Sequence, residues 1–158
     1  MSKPQVAILM GSDSDLEVMN EVAKALDDFG IPYEIDIASA HRSPARTNEL
    51  SRNAESRGIK IIIAGAGGAA HLAGVIAAKT TLPVIGIPIK SKALNGLDSL
   101  LSMVQMPSGI PVATVAIDGA ANAALLAARI IGVTDKVVND KMKNYQAKLR
   151  DKVLQAKV

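Results

Sequence analysis

Residues 64–71 read Ala64-Gly65-Ala66-Gly67-Gly68-Ala69-Ala70-His71 and lie between two apolar segments. The isoleucines of residues 59–63 are typical of a buried strand, and the alanine-rich residues 72–79 predict a helix. Three glycines within four positions leave the backbone without Cβ atoms where strand turns into helix, so a ligand can approach closely. A helix that begins here directs unpaired N–H groups at the ligand and places His71 about one turn in. We expect a small apolar pocket with one proton-transferring side chain.

Two other interpretations of this stretch are open. The glycines match the dinucleotide-binding pattern G-x-G-x-x-[GA], which also requires an acidic residue about 20 positions later, after the next strand. Here the next predicted strand, residues 83–89, is apolar and is followed by Lys90, so a dinucleotide is not expected. Alternatively, the small residues only allow close packing of helix on sheet. Packing explains Ala77 and Ala78 but not a histidine at the turn.

The composition indicates one domain with an aliphatic core. The chain has 158 residues, of which 49% are hydrophobic and only 2% aromatic. A chain of this length can bury a substantial core by itself. Its surplus of aliphatic residues predicts that other subunits cover part of the surface, so we expect a homo-oligomer.

Charge and residue usage exclude several functions. The net charge of +3 is not concentrated in basic clusters with aromatic residues, so nucleic acid is not an expected partner. With no cysteine and only two histidines, neither disulfides nor a metal site is expected. No apolar run approaches the ~18 residues of a membrane span, and no signal-like segment precedes the first strand. We expect a cytoplasmic protein without membrane association.

Strands and helices alternate along the rest of the chain. Apolar runs predict further strands at residues 6–10, 33–38, 83–89 and 111–117. Spacing and capping residues predict helices from Leu16 to Gly30, from Pro44 (with Ser43 as N-cap) to Gly58, from Asp98 to Met106 and from Ala120 to Ile131. This alternation predicts an α/β fold, a three-layer α/β/α sandwich around a flavodoxin-like, parallel five-stranded sheet of order 2-1-3-4-5.

That strand order brings three loops together at the carboxyl edge of the sheet, namely residues 11–15, 39–44 and 64–71. In the first loop, Ser12 and Ser14 suit a phosphate and Asp15 suits ribose hydroxyls, although a simple helix cap is the alternative. In the second loop, Arg42 beside Ser39 offers a planar fork to phosphate oxygens. His41 in this loop brings the second histidine to the same edge.

Residues 134–158 differ from the rest in pattern. Apolar residues recur at steps of three and four between polar ones, which predicts an amphipathic helix, capped by Thr134, whose stripe is Val138, Met142, Tyr145, Leu149 and Val153. The helix either folds back on its own sheet or contacts a neighbouring subunit, and we favour the second. We therefore expect one domain over residues 1–158, with a core of residues 1–133 and a C-terminal helical arm.

Four motifs together resemble the PurE family of N5-carboxyaminoimidazole ribonucleotide mutases of purine biosynthesis. They are Gly11-Ser12-Asp13-Ser14-Asp15, Ser39-Ala40-His41-Arg42-Ser43-Pro44, residues 64–72 and Ser99-Leu100-Leu101-Ser102-Met103-Val104-Gln105-Met106-Pro107. Arg42 after His41 resembles the bacterial mutase class, since animal-type carboxylases of this fold carry Lys there. The chain departs from the family pattern at Ala73, usually Pro, at Ser43, usually Thr, and in a shorter turn near Gly119.

The resemblance implies an isomerisation that moves a carboxylate from the exocyclic nitrogen of an aminoimidazole ribonucleotide to C4, without metal or other cofactor. It implies that His41 is the catalytic proton carrier, that Ser12, Asp15 and Arg42 hold the ribose phosphate, and that His71 shapes the carboxylate pocket or an adjoining hydrogen-bond network. The substrate-binding residues it implies are Ser12, Ser14, Asp15, Ser39, Arg42, Gly65, Gly67, Gly68, Ala69, His71 and Leu72. It also implies an octamer with sites between subunits.

Two other functions stay open at this point. One is a direct carboxylase that makes the same product from aminoimidazole ribonucleotide and CO2. The other is a flavodoxin-like nucleotide-binding module without catalysis. A flavin normally needs aromatic stacking partners, and Phe29, Tyr33 and Tyr145 all lie outside the three loops.

Overall fold

The computed structural model describes residues 3–156, which form one parallel sheet between two layers of helices. The strands are β1 (Val6–Met10), β2 (Tyr33–Ile37), β3 (Ile61–Gly67), β4 (Val84–Ile89) and β5 (Ala113–Thr114). All four neighbouring pairs are parallel, in the order β2-β1-β3-β4-β5. This confirms the predicted sheet and its strand order.

Six helices connect and follow the strands within the described residues. They are α1 (Leu16–Phe29), α2 (Pro44–Arg52), α3 (Leu72–Ala77), α4 (Leu97–Val104), α5 (Ala120–Gly132) and α6 (Lys136–Gln155), with 3₁₀ turns at Asp13–Asp15 and Glu55–Arg57. Among residues 3–156, no helix combines the length and the apolar composition needed to cross a membrane.

Alternate residues of the central strands face two separate cores, because side chains alternate across a strand. Ile61 and Ile63 of β3 pack with α1, α5 and the start of α6, whereas Ile62 and Ala64 pack with α2, α3 and Met103 of α4. Both cores are mainly aliphatic, and the central strands are buried on both faces, as parallel sheets require. The three-layer prediction is thereby confirmed.

The strand-to-helix turn after β3 lies further along the chain than predicted. β3 runs to Gly67, so two of the three glycines belong to the strand and pair with the neighbouring strands, Gly65 with Met10 and Gly67 with Ile89. His71 is the N-cap residue of α3 and does not lie one turn inside it, so that expectation was wrong. The error arose because the glycine run was taken as the turn from strand to helix, whereas its first residues continue the strand.

Two predicted helix caps are also corrected. Ser43 precedes α2, but its hydroxyl donates to the Ser39 carbonyl and accepts from the Ser39 N–H instead of capping the helix. Asp135, not Thr134, caps α6, because its carboxylate accepts from the N–H groups of Val137 and Val138 at 3.0 and 3.1 Å. A carboxylate oxygen can accept both bonds and also complements the helix dipole.

The edge strand β5 is shorter than the predicted residues 111–117. Only Ala113 and Thr114 pair with β4, although the N–H of Val115 still donates to the Gly86 carbonyl and that of Asp118 to the Pro88 carbonyl. Asp118 has a φ of 54°, which turns the chain away from the sheet toward α5.

The two halves of α6 have different surroundings. Val138 and Met142 are buried against α1 and α5, and Lys141 Nζ donates to the Phe29 carbonyl at 2.9 Å. Leu149 and Val153, further along the same predicted stripe, are 49% and 73% exposed. The first half therefore folds back on its own subunit, which is the alternative that we did not favour, while the second half leaves its apolar side chains uncovered within the subunit.

Candidate functional site

A cavity of about 320 Å³ opens at the carboxyl edge of the sheet. The loops after β1, β2 and β3 contribute to it, as expected at the point where strand order reverses, and so does the loop after β4. Its lining includes eleven of the twelve predicted site residues, which are Ser12, Ser14, Asp15, Ser39, His41, Arg42, Gly67, Gly68, Ala69, His71 and Leu72. The three loops thus meet as the sequence predicted.

Gly65 is the predicted site residue that does not line the cavity. A Cβ at this position would overlap the sulfur of Met19 on α1, so the missing side chain serves packing between sheet and helix. The Gly65 carbonyl accepts from the Gly11 N–H at 3.2 Å and so positions the first loop. For this glycine the packing interpretation applies.

The loop after β1 combines a helix cap with a buried carboxylate. Ser12 Oγ accepts from the Ser14 N–H at 3.3 Å and so caps the 3₁₀ turn, and Ser14 Oγ donates to Asp15 Oδ1 at 3.4 Å. Asp15 is only 8% exposed. Burial raises the pKa of Asp15 above its ordinary value, although hydrogen bonds from Ser14 and Ser12 and the charge of Arg42 act in the opposite direction. A carboxylate held in this way is available to accept hydrogen bonds from hydroxyl groups of a ligand.

Arg42 joins the loops after β1 and β2. Its Nη2 donates to the Gly11 carbonyl at 2.7 Å, and its Nε donates to Ser39 Oγ at 3.2 Å. The Arg42 backbone N–H donates to the same hydroxyl at 3.1 Å. The guanidinium is therefore fixed, while its remaining N–H groups can bind an anion in the cavity.

The two histidines of the chain form a pair inside this cavity. His41 Nε2 lies 2.9 Å from His71 Nδ1, and the two rings are nearly perpendicular, with an interplanar angle of 84°. A hydrogen bond between two imidazole nitrogens needs one donor and one acceptor, so each ring restricts the tautomer of the other. The pair brings together residues 30 positions apart in the sequence.

A serine of α4 fixes the turn after β3 by hydrogen bonds. Gly68 has a φ of 65° and nothing within 4 Å of a Cβ position, so the turn requires glycine for its backbone conformation and leaves space above it. Its N–H donates to Ser99 Oγ at 2.9 Å, and Ser99 Oγ donates to the Ile89 carbonyl at 2.6 Å. Ser99 thus ties the turn after β3 to the end of β4.

The prediction of site residues missed the loop after β4. Ala40, Ala66, Ile89, Lys90 and Ser91 also line the cavity, and the last three come from the end of β4 and the residues that follow it. The predicted strand order contained a usable signal, since β4 is the neighbour of β3 and ends at the same edge. Within residues 3–156, no cluster of three or more histidine and carboxylate side chains has the spacing of a metal site.

Comparison with known proteins identifies relatives over nearly the whole chain. The profile of one family, AIR carboxylase, matches residues 5–152. A protein of Pyrococcus horikoshii named N5-carboxyaminoimidazole ribonucleotide mutase is 66% identical over 151 residues, which are 96% of this chain and 85% of that protein. A protein of Saccharomyces cerevisiae named phosphoribosylaminoimidazole carboxylase is 56% identical over 98% of this chain but only 27% of its own length.

A solved structure gives the same result for the fold. The crystal structure of Treponema denticola PurE superposes with a TM-score of 0.88 at 35% sequence identity, covering 96% of this chain and 95% of that one. The flavodoxin-like arrangement of sheet and helices is therefore shared with that protein.

Proposed function

The chain belongs to the AIR carboxylase family, and we propose that it is the isomerase of that family, an N5-carboxyaminoimidazole ribonucleotide mutase. It moves the carboxylate from the exocyclic nitrogen to C4 and gives 4-carboxy-5-aminoimidazole ribonucleotide, a step of purine biosynthesis. The observation that carries the proposal is the His41–His71 pair in one cavity with Arg42 and Asp15.

In this proposal, the phosphoribosyl part of the substrate lies over the loops after β1 and β2. The fixed guanidinium of Arg42 and the hydroxyls of Ser12, Ser14 and Ser39 bind the phosphate. Asp15 accepts hydrogen bonds from the ribose hydroxyls. These bonds also replace the water that a largely buried carboxylate lacks as a hydrogen-bond partner.

His41 carries the proton in both halves of the reaction. As the bond between the exocyclic nitrogen and the carboxyl carbon breaks, CO2 leaves and the nitrogen takes a proton from His41. CO2 then bonds to C4, and His41 takes the proton that C4 loses. One proton is given and one returned, so the overall isomerisation needs no external acid, base or oxidant.

The segment after β3 confines the CO2 between these two steps. Gly67, Gly68 and Ala69 supply a lining without bulky side chains, and His71 and Leu72 complete it. Holding CO2 beside the amine gives it a high effective concentration and limits its loss to solvent. His71 orients His41 through the 2.9 Å contact and need not itself exchange a proton with substrate.

We also propose that the enzyme is a homo-oligomer, an octamer by its resemblance, in the cytoplasm, with sites near subunit boundaries. Two apolar surfaces support an oligomer. Leu97, Leu101 and Val104 form a stripe on α4 and are 46–50% exposed, and the second half of α6 exposes Leu149 and Val153. Stripes of this kind are typical of surfaces that a neighbouring subunit covers.

The competing activity is direct carboxylation of aminoimidazole ribonucleotide by CO2. The name of the yeast relative supports it, but that protein is much longer than this chain. Arg42 after His41 favours the mutase of the bacterial type, by the resemblance to that class. A nucleotide-binding module without catalysis is disfavoured by the paired imidazoles.

Purified protein tests the proposal when it is given each substrate without ATP. We expect rapid interconversion of N5-carboxyaminoimidazole ribonucleotide and its C4-carboxylated isomer, followed by ultraviolet absorbance. We expect far slower product formation from aminoimidazole ribonucleotide with bicarbonate or dissolved CO2. The opposite preference would identify a direct carboxylase, and activity on neither would leave only a binding function.

A further inference from the structure

The cavity contains a second cationic side chain, Lys90, to which the proposed function assigns no role. Lys90 directly follows β4, is exposed and lines the cavity. Across residues 3–156 it takes part in no ion pair. Its ammonium group is therefore available to an anion bound in the cavity.

Three contacts fix the backbone from which the Lys90 side chain projects. The Lys90 N–H donates to Asp118 Oδ1 at 2.8 Å. The preceding carbonyl, of Ile89, accepts from the buried hydroxyl of Ser99 at 2.6 Å. Gly96 packs so closely that a Cβ there would come within 3.2 Å of Lys90 Cα. The backbone is anchored by the loop after β5 and by two residues at the start of α4, while the four-carbon stem stays free to move the ammonium group.

Lys90 and Arg42 lie at opposite ends of the cavity. Arg42 follows β2 and is fixed to the Gly11 carbonyl beside β1, whereas Lys90 follows β4. One strand, β3, separates β1 from β4, so the Arg42 guanidinium lies on the order of 10 Å from the end of β4 at the usual strand spacing. The two cations can therefore bind two different anionic groups of one substrate. The histidine pair and the glycine turn after β3 lie between them.

We propose that Lys90 binds the carboxylate that the reaction moves, while Arg42 binds the phosphate. This inference rests on the proposed function, because only that substrate carries a carboxylate in addition to its phosphate. The carboxylate must lie near His41 and the turn after β3, which adjoins Lys90 through the pairing of Gly67 with Ile89. The compact ammonium group of lysine, on its flexible side chain, can remain in contact with the carboxylate as it moves from nitrogen to C4. The planar guanidinium of arginine suits an anion that stays in place.

Lys90→Gln tests this assignment when two nucleotides are compared by calorimetric titration. We expect the variant to bind the C4-carboxylated nucleotide about tenfold more weakly than wild type, because a charge-assisted hydrogen bond is lost in a partly open site. We expect its affinity for aminoimidazole ribonucleotide, which lacks the carboxylate, to stay within about twofold. In turnover, KM rises and kcat does not fall, since the carboxylate is present in both substrate and product.

Lys92→Gln is the matched control, because Lys92 is exposed and does not line the cavity. It removes the same charge and should leave both affinities unchanged, whereas Lys90→Arg should keep most of the preference for the carboxylated nucleotide. If Lys90→Gln weakens the binding of both nucleotides equally, Lys90 contacts the phosphate. If it weakens the binding of neither, Lys90 does not belong to the site. Both results overturn this inference while leaving an active mutase, whereas an inactive wild-type protein would refute the proposed function itself.

Discussion

The cavity at the carboxyl edge of the sheet, of about 320 Å³, is smaller than a cavity of about 470 Å³ at the opposite edge. The larger one lies where β4 and β5 begin. It is lined by aliphatic side chains, among them Leu82, Ile110 and Ile130, and by glycine, proline and two threonines. None of its lining residues is charged or is a histidine. The smaller one contains His41, His71, Asp15, Arg42 and Lys90.

The difference shows that chain direction, not cavity size, determines where chemistry can occur. At the carboxyl edge of a parallel sheet, loops leave the strands and helices begin, so N–H groups and polar loop residues converge there. Helices end at the opposite edge, and the chain returns to the sheet through short segments such as residues 78–83 before β4, which contribute only uncharged side chains to the cavity there. A proton carrier and an anion site are therefore expected at one edge only, and three substitutions and one control substitution test that expectation.

His41→Asn tests the contrast most strongly. Asparagine can keep a hydrogen bond but cannot carry a proton between nitrogen and C4, so we expect turnover to fall by about 10³-fold. Nucleotide affinity should change by less than about threefold, since phosphate and ribose are held by other residues. Initial rates and calorimetric titration with the carboxylated nucleotide measure the two quantities.

Thr81→Ala is the control for that experiment. Thr81 is an exposed residue of the opposite cavity, and its substitution should leave kcat and KM unchanged. Near-normal turnover in His41→Asn would show that another group carries the proton, and His71 would be the next residue to test.

Asp15→Asn should have a smaller effect, with opposite consequences for binding and stability. Burial raises the pKa of Asp15, so the folded protein favours the protonated carboxyl. Its contribution to stability is then fully present below the pKa of the unfolded chain and is lost as pH rises through the pKa of the folded state. Ionising the buried carboxyl lowers the free energy of unfolding, and an amide, which does not ionise, removes this cost at pH 7. A gain of about 0.5 kcal/mol would raise Tm by about 2 °C. Nucleotide affinity should fall about tenfold, because an amide is a weaker acceptor for ribose hydroxyls.

Thermal unfolding at pH 4 and pH 7 separates the two effects. The stabilisation by Asp15→Asn should shrink toward pH 4, where wild-type Asp15 itself becomes protonated. A variant that is destabilised at pH 7 would show instead that the ionised carboxylate supports the loop through its bond with Ser14.

The sequence predicted the sheet, its strand order and the convergence of three loops because these follow from alternation of apolar segments and from the rules of parallel sheets. It could not separate the roles of neighbouring glycines. Gly65 is required because Met19 occupies the space of its side chain, whereas Gly68 is required because its φ is positive. Only the packing of α1 distinguishes the two, and that packing joins residues 46 positions apart. The same limitation hid Lys90, whose role depends on the position of β4 relative to β3.

Leu82→Ala should have the smallest effect on activity and so completes the contrast between the edges. Leu82 lines the opposite cavity and packs partly against the core that contains Ile62 and Leu72. Truncating a half-buried leucine should lower the free energy of unfolding by about 1 kcal/mol, less than for a fully buried one. Because the β4 backbone that reaches the active edge is held by neighbours on both sides, kcat and KM should stay within about twofold of wild type. Urea unfolding and steady-state rates measure the two properties, and a large loss of kcat at unchanged stability would mean that the two edges are coupled through β4.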